Sequence, residues 1–263
     1  MPFPNISPII FEIGPFALHW YGLAYVAGLY IGWKYIAIMC NTARLWGATT
    51  HPSPEHIDSL LLWVTFGVIL GGRLGYVIFY NPTYYIAHPN EIFALWQGGM
   101  SFHGGGLGVL VALAIFAKRH NTHFWTLFDL CATVLPIGLF LGRLANFINS
   151  ELWGRTTAVA WGVIFPNGGP LPRHPSQLYE AGLEGLVLFI ILSWLVWRRQ
   201  ALAARGTIAG VFLIVYGASR SLIELVREPD AHIGFVIGQF TMGQLLSLPM
   251  VLVGIALIIT RKR

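Results

Sequence analysis

Seven apolar stretches, each long enough to cross a bilayer, divide this sequence and leave almost no chain for anything else. A spanning helix needs about 20 apolar residues. The stretches lie at about 16–39, 57–80, 99–117, 124–147, 178–197, 207–227 and 241–260. Charge agrees with them. Only 10% of the 263 residues are charged, against roughly 25% in an ordinary soluble domain, too few to cover a soluble surface of this size. A soluble enzyme and a disordered chain are both excluded. The expected fold is an all-α integral membrane protein, a single polytopic membrane domain over residues 1–263 with seven transmembrane helices. Met1 to Phe16 has no positive cluster ahead of an apolar core and no small-residue cleavage site, so no removable signal peptide is expected. Cys40 and Cys131, in apolar surroundings and far apart, read as free thiols acting as small hydrophobes.

The 16 Lys and Arg residues give net charge +5 and pI near 9.4, a balance that could indicate nucleic acid. Their positions say otherwise. Arg44, Lys118, Arg119, Arg198, Arg199, Arg205, Arg261, Lys262 and Arg263 fall on one side of the membrane if the N-terminus is outside (periplasmic) and the C-terminus cytoplasmic, as the positive-inside rule requires. The basic pI is therefore mostly topology, and no nucleic-acid partner is expected. Lys34 sits near the inner end of the first stretch and can snorkel to the surface. Arg73, Arg143, Arg155, Arg173, Arg220 and Arg227 remain, within stretches or on the disfavoured side. An Arg at membrane depth costs at least ~2.5 kcal/mol on the mildest scale, so each needs a partner or a purpose.

This topology brings polar residues from separate helices to one depth, the outer leaflet and its aqueous border. In the tract Gly98 to Gly108, Gly104 and Gly108 have the small-xxx-small spacing of close helix packing. The same glycines, with His103 beside them, could instead offer backbone N–H groups to an anion at a helix N-terminus. No Lys-Ser or Lys-Thr follows, so a nucleotide loop is not supported. In Gly142 to Arg155, Arg143 and Asn146 share a helix face, and Glu151, Gly154 and Arg155 follow as the helix ends. Tyr216, Arg220, Glu224 and Arg227 share one face of the sixth stretch, either a satisfied buried ion-pair network with Glu224 neutralising an arginine or, since two arginines for one glutamate would leave net positive charge, a site for an anionic ligand. Arginine suits phosphate, because its planar fork donates two hydrogen bonds and stays charged.

Weaker signals accompany these. Arg73 lies in Gly72-Arg73-Leu74-Gly75, an echo of Gly142-Arg143-Leu144-Ala145. His174 and Glu180, where a loop enters the fifth stretch, either bind a ligand or brace the helix. His19 and Tyr21 sit near the outer end of the first stretch. Asp129 and Glu184 have no evident partner in the sequence. The histidines His103, His120 and His123 are not at ligand spacing on one face, so no metal site is expected, and no cofactor. The natural ligand class is a phospholipid whose phosphate meets the arginines while its tails stay in the bilayer. A phospholipid or anion transporter or flippase with an outer-leaflet phosphate site is the alternative. Transporters, however, hold their polar residues near the midplane.

These segments together resemble the bacterial phosphatidylglycerol–prolipoprotein diacylglyceryl transferase family over nearly the whole chain. The carrying residues are His19-Trp20-Tyr21-Gly22-Leu23, Gly71-Gly72-Arg73-Leu74-Gly75-Tyr76, Ser101-Phe102-His103-Gly104-Gly105, Gly142 to Arg155, Arg173 to Glu180, and Tyr216-Gly217 through Arg220, Glu224 and Arg227 to Asp230. The resemblance implies transfer of diacylglyceryl from phosphatidylglycerol to the lipobox cysteine of a preprolipoprotein, with release of glycerol phosphate. It implies a bacterial cytoplasmic (inner) membrane enzyme with its site toward the outer leaflet. Its partners would be phosphatidylglycerol, the preprolipoprotein signal peptide with its lipobox, and the lipid bilayer. By carry-over Arg143 binds the headgroup, shaped by Asn146, Glu151 and Gly154, and Gly104 belongs to the same lipid site. Arg220, held by Glu224, is a second phosphate contact, His103 the candidate base, and Tyr21 a positioning residue. Arg73, His174, Tyr216 and Arg227 are supporting residues.

Overall fold

A computed structural model describes residues 1–4, 6–14, 16–229 and 234–260. Asp230 and the terminal cations Arg261, Lys262 and Arg263 lie outside the described residues. The chain is helical along its apolar stretches: α1 (Trp20–Cys40), α2 (Ile57–Phe79), α4 (Phe102–Arg119), α5 (Phe124–Ile148), α6 (Ser176–Arg199), α7 (Thr207–Ile223) and α8 (Met242–Thr260), with a short α3 (Pro82–Ala87) after α2. Among the described residues six helices are long and apolar enough to cross a membrane; α7, at 17 residues, is the exception. It is nonetheless the helix with Ile208, Ala209 and Phe212 buried.

The first stretch begins later than expected. Phe16–His19 forms strand β2, paired antiparallel with β1 (Ile9–Ile13), and the helix starts at Trp20. Gly14 takes φ +58° between the two strands, a left-handed conformation that glycine adopts without strain. The sixth stretch likewise leaves helical geometry at Ile223 rather than at 227. A second small hairpin, β3 (Phe235–Ile237) and β4 (Phe240–Thr241), leads into α8. The fold is thus all-helical, as expected, with two short hairpins among the described residues.

The chain forms two compact units. One contains Met1–Ile36, Ala43–Thr49 and the chain from Asp129 on; the other contains Ala37–Thr42 and Thr50–Phe128. In the first, Leu130, Leu188, Leu192, Val196, Ile208 and Ala209 make a buried core. Small residues set how closely its helices pass. A Cβ at Gly28 would meet Gly138 Cα at 3.3 Å, and one at Gly217 the Ser247 carbonyl at 3.0 Å. Asp129, left open by the sequence, finds its partners in this unit. Its carboxylate accepts hydrogen bonds from the amides of Gly206 (2.7 Å) and Ala209 (2.8 Å). It caps the N-terminus of α7, where four N–H groups have no partner within the helix.

The second unit is built on α2 against α4. Gly67, Gly71 and Gly75 of α2 face Gly104 and Gly108 of α4 so closely that a Cβ at Gly75 would lie 2.7 Å from Gly104 Cα. This is backbone-to-backbone packing of the kind small residues permit in membranes. Cys40 and Cys131 are both free thiols.

Candidate active site

Glu180 is the centre of the first unit's polar end. It closes the first turn of α6, held in place because Ser176 and Gln177 hydrogen-bond the carbonyls of Leu152 (3.0 Å) and Glu151 (2.5 Å). Its carboxylate is fully buried and meets three arginines. Arg143 Nε of α5 lies 2.7 Å from Oε2, as an ion pair rather than an aligned hydrogen bond. Arg220 Nη1 of α7 donates to Oε1 at 3.2 Å, and Arg227 Nη1 donates to the same oxygen at 2.8 Å. Glu224, one turn beyond Arg220, takes that arginine's Nη2 and lies 3.9 Å from Arg227 Nε. Glu184, also fully buried, is 4.0 Å from Arg220. Buried arginines demand such partners, since an uncompensated buried charge is strongly destabilising.

This arrangement corrects the expected charge balance. The face of Arg220, Glu224 and Arg227 reads as two cations for one anion. With Glu180 and Glu184 from α6 and Arg143 from α5, the assembled cluster has three of each. Glu180, left between ligand and brace by the sequence, braces three arginines.

Further polar contacts run through the end of α5. Arg143 Nη1 donates to Asn146 Oδ1 at 3.4 Å; Asn146 donates to Glu151 at 2.8 Å, and Asn149 to the same oxygen at 3.4 Å. Tyr21, half-exposed in the first turn of α1, lies within electrostatic reach of Glu151 and Arg143, and its hydroxyl is 3.4 Å from that of Tyr25. Tyr216, one turn before Arg220, stacks on Phe212 and lies within reach of Glu184 and Arg143. Arg143 and Arg220 keep 18% and 16% of their side chains accessible. Glu180 and Arg227 are therefore closed off, while Arg143 and Arg220 keep some accessible surface.

Gly154 explains how three chain segments converge here. It pairs antiparallel with Arg227, its amide donates to the His174 carbonyl at 2.8 Å, and the Arg155 amide donates to the Val226 carbonyl at 2.8 Å. A Cβ at Gly154 would lie 2.5 Å from Val226 O and 2.7 Å from His174 Cβ, so no other residue fits. Arg155 Nε then donates to the Arg227 carbonyl (3.0 Å) and Nη2 to that of Glu224 (3.3 Å). Arg173 reaches Glu228 at 3.0 Å and the Gly168 carbonyl at 2.7 Å. His174 stands 3.2 Å from the Tyr179 hydroxyl, which also accepts from Trp161 at 2.7 Å; burial lowers His174 below its ordinary pKa.

The second unit holds the remaining expected residues. His103 is exposed in the first turn of α4, its ring edge-on to Phe102. Gly104 has a packing task against α2, and its amide donates to the Ser101 hydroxyl at 3.1 Å as the helix cap. Arg73 is buried and spends its guanidinium on backbone carbonyls: Glu91 (2.6 Å), Ile92 (2.7 Å), Gly98 (2.5 Å) and Gly99 (3.2 Å), over the face of Tyr85. It fixes the segment between α3 and α4. Among the described residues no group of His, Cys, Asp and Glu is placed to hold a metal ion.

Sequence reasoning missed Glu180 as the hub and left Glu184 open. Both lie four apart within an apolar helix, and the rule that intramembrane charges pair with one another was the available signal.

A family model described as prolipoprotein diacylglyceryl transferase matches residues 8–260. The chain is 53% identical over 257 residues to the phosphatidylglycerol–prolipoprotein diacylglyceryl transferase of Rhizobium meliloti, covering 97% of this chain and 92% of the relative. It is 54% identical over 263 residues to that of Rhodopseudomonas palustris, covering 99% and 92%. The protein of Agrobacterium fabrum with the same name is 52% identical over 257 residues. Matches of this extent make the chain a member of the prolipoprotein diacylglyceryl transferase family.

Proposed function

We propose that this protein transfers the diacylglyceryl group of phosphatidylglycerol to the lipobox cysteine of a preprolipoprotein, the first step of lipoprotein maturation. One observation carries the reading: Arg143 and Arg220, on different helices, are held by one buried carboxylate yet keep part of their side chains accessible. Preorganised donors of this kind stabilise a leaving phosphate without reorganising during the reaction. In the proposed step the cysteine sulfur attacks the glyceryl carbon that carries the phosphate. The C–S bond forms, the C–O bond breaks, and glycerol phosphate leaves on the arginines. The thiol, at pKa about 8.5, is only a few per cent thiolate near neutral pH, so a base must accept its proton. His103 takes that role on the strength of the family resemblance, and Tyr21 positions the reacting groups. Asn146, Glu151, Gly154 and Glu224 hold the two arginines in place, with Tyr216 and Arg227 in support.

In this reading the chain is one polytopic domain with seven spans, the N-terminus outside and the C-terminus inside. It lies in the bacterial cytoplasmic membrane with the arginine cluster toward the outer leaflet. The distribution of cations between the helices supports that orientation. Apart from Asp129, which caps α7, the inner halves of the helices are almost wholly apolar, which argues against a transporter with a midplane site.

The test is direct. Purified protein is incubated with labelled phosphatidylglycerol and a lipobox peptide, and the diacylglyceryl thioether is sought by mass. Wild-type protein forms it; Arg143→Ala does not, while remaining folded; Arg143→Lys recovers little, because lysine lacks the bidentate fork. Full turnover by Arg143→Ala would remove the phosphate role.

A further inference from the structure

Within α6 the segment Ala181–Val187 widens into π-helical geometry, a local feature that frequently accompanies functional sites. It carries Glu184, which is fully buried. Neither of its carboxyl oxygens has a hydrogen-bond partner among the described residues. The nearest cation is Arg220, whose Nη1 lies 4.0 Å away and stands closer, at 3.2 Å, to Glu180. The other charged and titratable groups facing it are Glu180 on its own helix, Arg143 from α5, and Tyr216 and Arg227 from α7 and the turn beyond it. Every arginine in that set is already paired with Glu180.

We infer that Glu184 is a neutral acid holding a proton, so that the cluster of three arginines and three glutamates has one net positive charge, matched to the single negative charge of a phosphodiester. A buried carboxylate with no hydrogen bond is among the costliest arrangements a protein can keep, and its protonated form is far cheaper. Two carboxyl groups sharing one buried site also keep a proton between them. The geometry divides the labour. Glu180, contacted by three arginines, is the anion, and Glu184, contacted by none within hydrogen-bond distance, is the acid. A cluster of zero net charge would have no electrostatic preference for the headgroup. The inference rests on the phosphate-site reading above and deepens it. Glu184 acts through Arg220 and does not touch the lipid; it is a positioning residue. Loss of its proton would cancel the net charge and draw Arg220 away from its accessible edge.

Two measurements test this on the purified full-length protein. Difference infrared spectroscopy in wild-type protein at neutral pH should show the C=O stretch of a protonated carboxylic acid, absent from Glu184→Gln. Should that variant fold poorly, Glu184→Asp moves the band instead of deleting it. The KM for phosphatidylglycerol should rise about tenfold per pH unit once the alkaline limb is reached, the dependence of a single proton, and this rise should vanish in Glu184→Gln. No acid band in the wild type, or a band that neither substitution alters, overturns the inference. So does an alkaline rise in KM that survives in the variant. The band reports on Glu184 whatever the lipid does, whereas turnover by Arg143→Ala reports on the phosphate site, so the two ideas fail separately.

Discussion

Replacing Gly154 by alanine adds one methyl group at the crossing of three chain segments. Its carbon would lie 2.5 Å from the Val226 carbonyl oxygen, 2.7 Å from His174 Cβ and 2.8 Å from the His174 carbonyl oxygen. An ordinary carbon–oxygen contact needs about 3.3 Å, so the Val226 contact falls short by about 0.8 Å. Two of these neighbours are backbone and the third is a Cβ, so no side-chain rotation relieves the clash. The segment bearing Arg227, the segment bearing His174, or both must withdraw. The amide bonds from Gly154 to His174 and from Arg155 to Val226, both 2.8 Å, lengthen with them. Overpacking of this kind costs about 1–3 kcal/mol, a fall of a few degrees in Tm. The effect on turnover should be larger, because Arg227 shares Glu180 with Arg143 and Arg220. A shift approaching 1 Å in a positioned group can lower a rate about 100-fold. Thermal melting in detergent and kcat/KM for thioether formation, measured on the same preparation, separate the two effects. Wild-type kcat/KM in a folded Gly154→Ala protein would refute the argument that this crossing sets the arginines.

Glu180→Gln keeps the side chain's shape but removes the anion from three arginines; breaking a buried pair costs roughly 3–5 kcal/mol. Melting should drop by more than in Gly154→Ala, and thioether formation should be lost; an unchanged melting curve would contradict the hub. Asp129→Asn weakens the cap on α7 by about 0.5–2 kcal/mol, which should appear as faster amide hydrogen exchange at Gly206 and Ala209 with activity per folded molecule retained. His174 has a lowered pKa through burial, so the folded state binds fewer protons than the unfolded chain once the pH falls below the ordinary value of 6.5. Its contribution to stability is present above that value and declines as the pH falls toward the lowered one. Melting followed over about pH 7 to 5 should show an acid limb that His174→Asn flattens.

The positions of the helices were legible because bilayer thickness converts directly into run length, and 57–80 or 124–147 could hardly be read otherwise. The arginines were legible because so little other charge surrounds them. What escaped was pairing. Glu180 and Glu184 look alike in sequence, four residues apart on one apolar helix, yet one meets three arginines and the other none at hydrogen-bond distance. Between them the helix widens into π-helical geometry, which no propensity scale announces. The glycine tract was ambiguous for the same reason. Gly104 and Gly108 suit either an anion or a neighbouring helix, and only the approach of Gly67, Gly71 and Gly75 reveals the packing role. Phe16–His19 was read into the helix because β2 is as apolar as the helix that follows, and hydrophobicity alone carries no signal for a hairpin.

The bond from Asp129 to Gly206 and Ala209 has a consequence for how the protein is made. At 17 residues, α7 extends about 25 Å, short of the roughly 30 Å hydrocarbon core. Its first amides are satisfied by a carboxylate from another helix. On its own it is a poor candidate for insertion, with free N–H groups in a solvent that offers them nothing. Asp129 precedes Gly206 by 77 residues in the chain, so its carboxylate is made before α7. In the proposed seven-span reading, the helix that carries Arg220 is therefore expected to rely on Asp129 of an earlier helix for its entry.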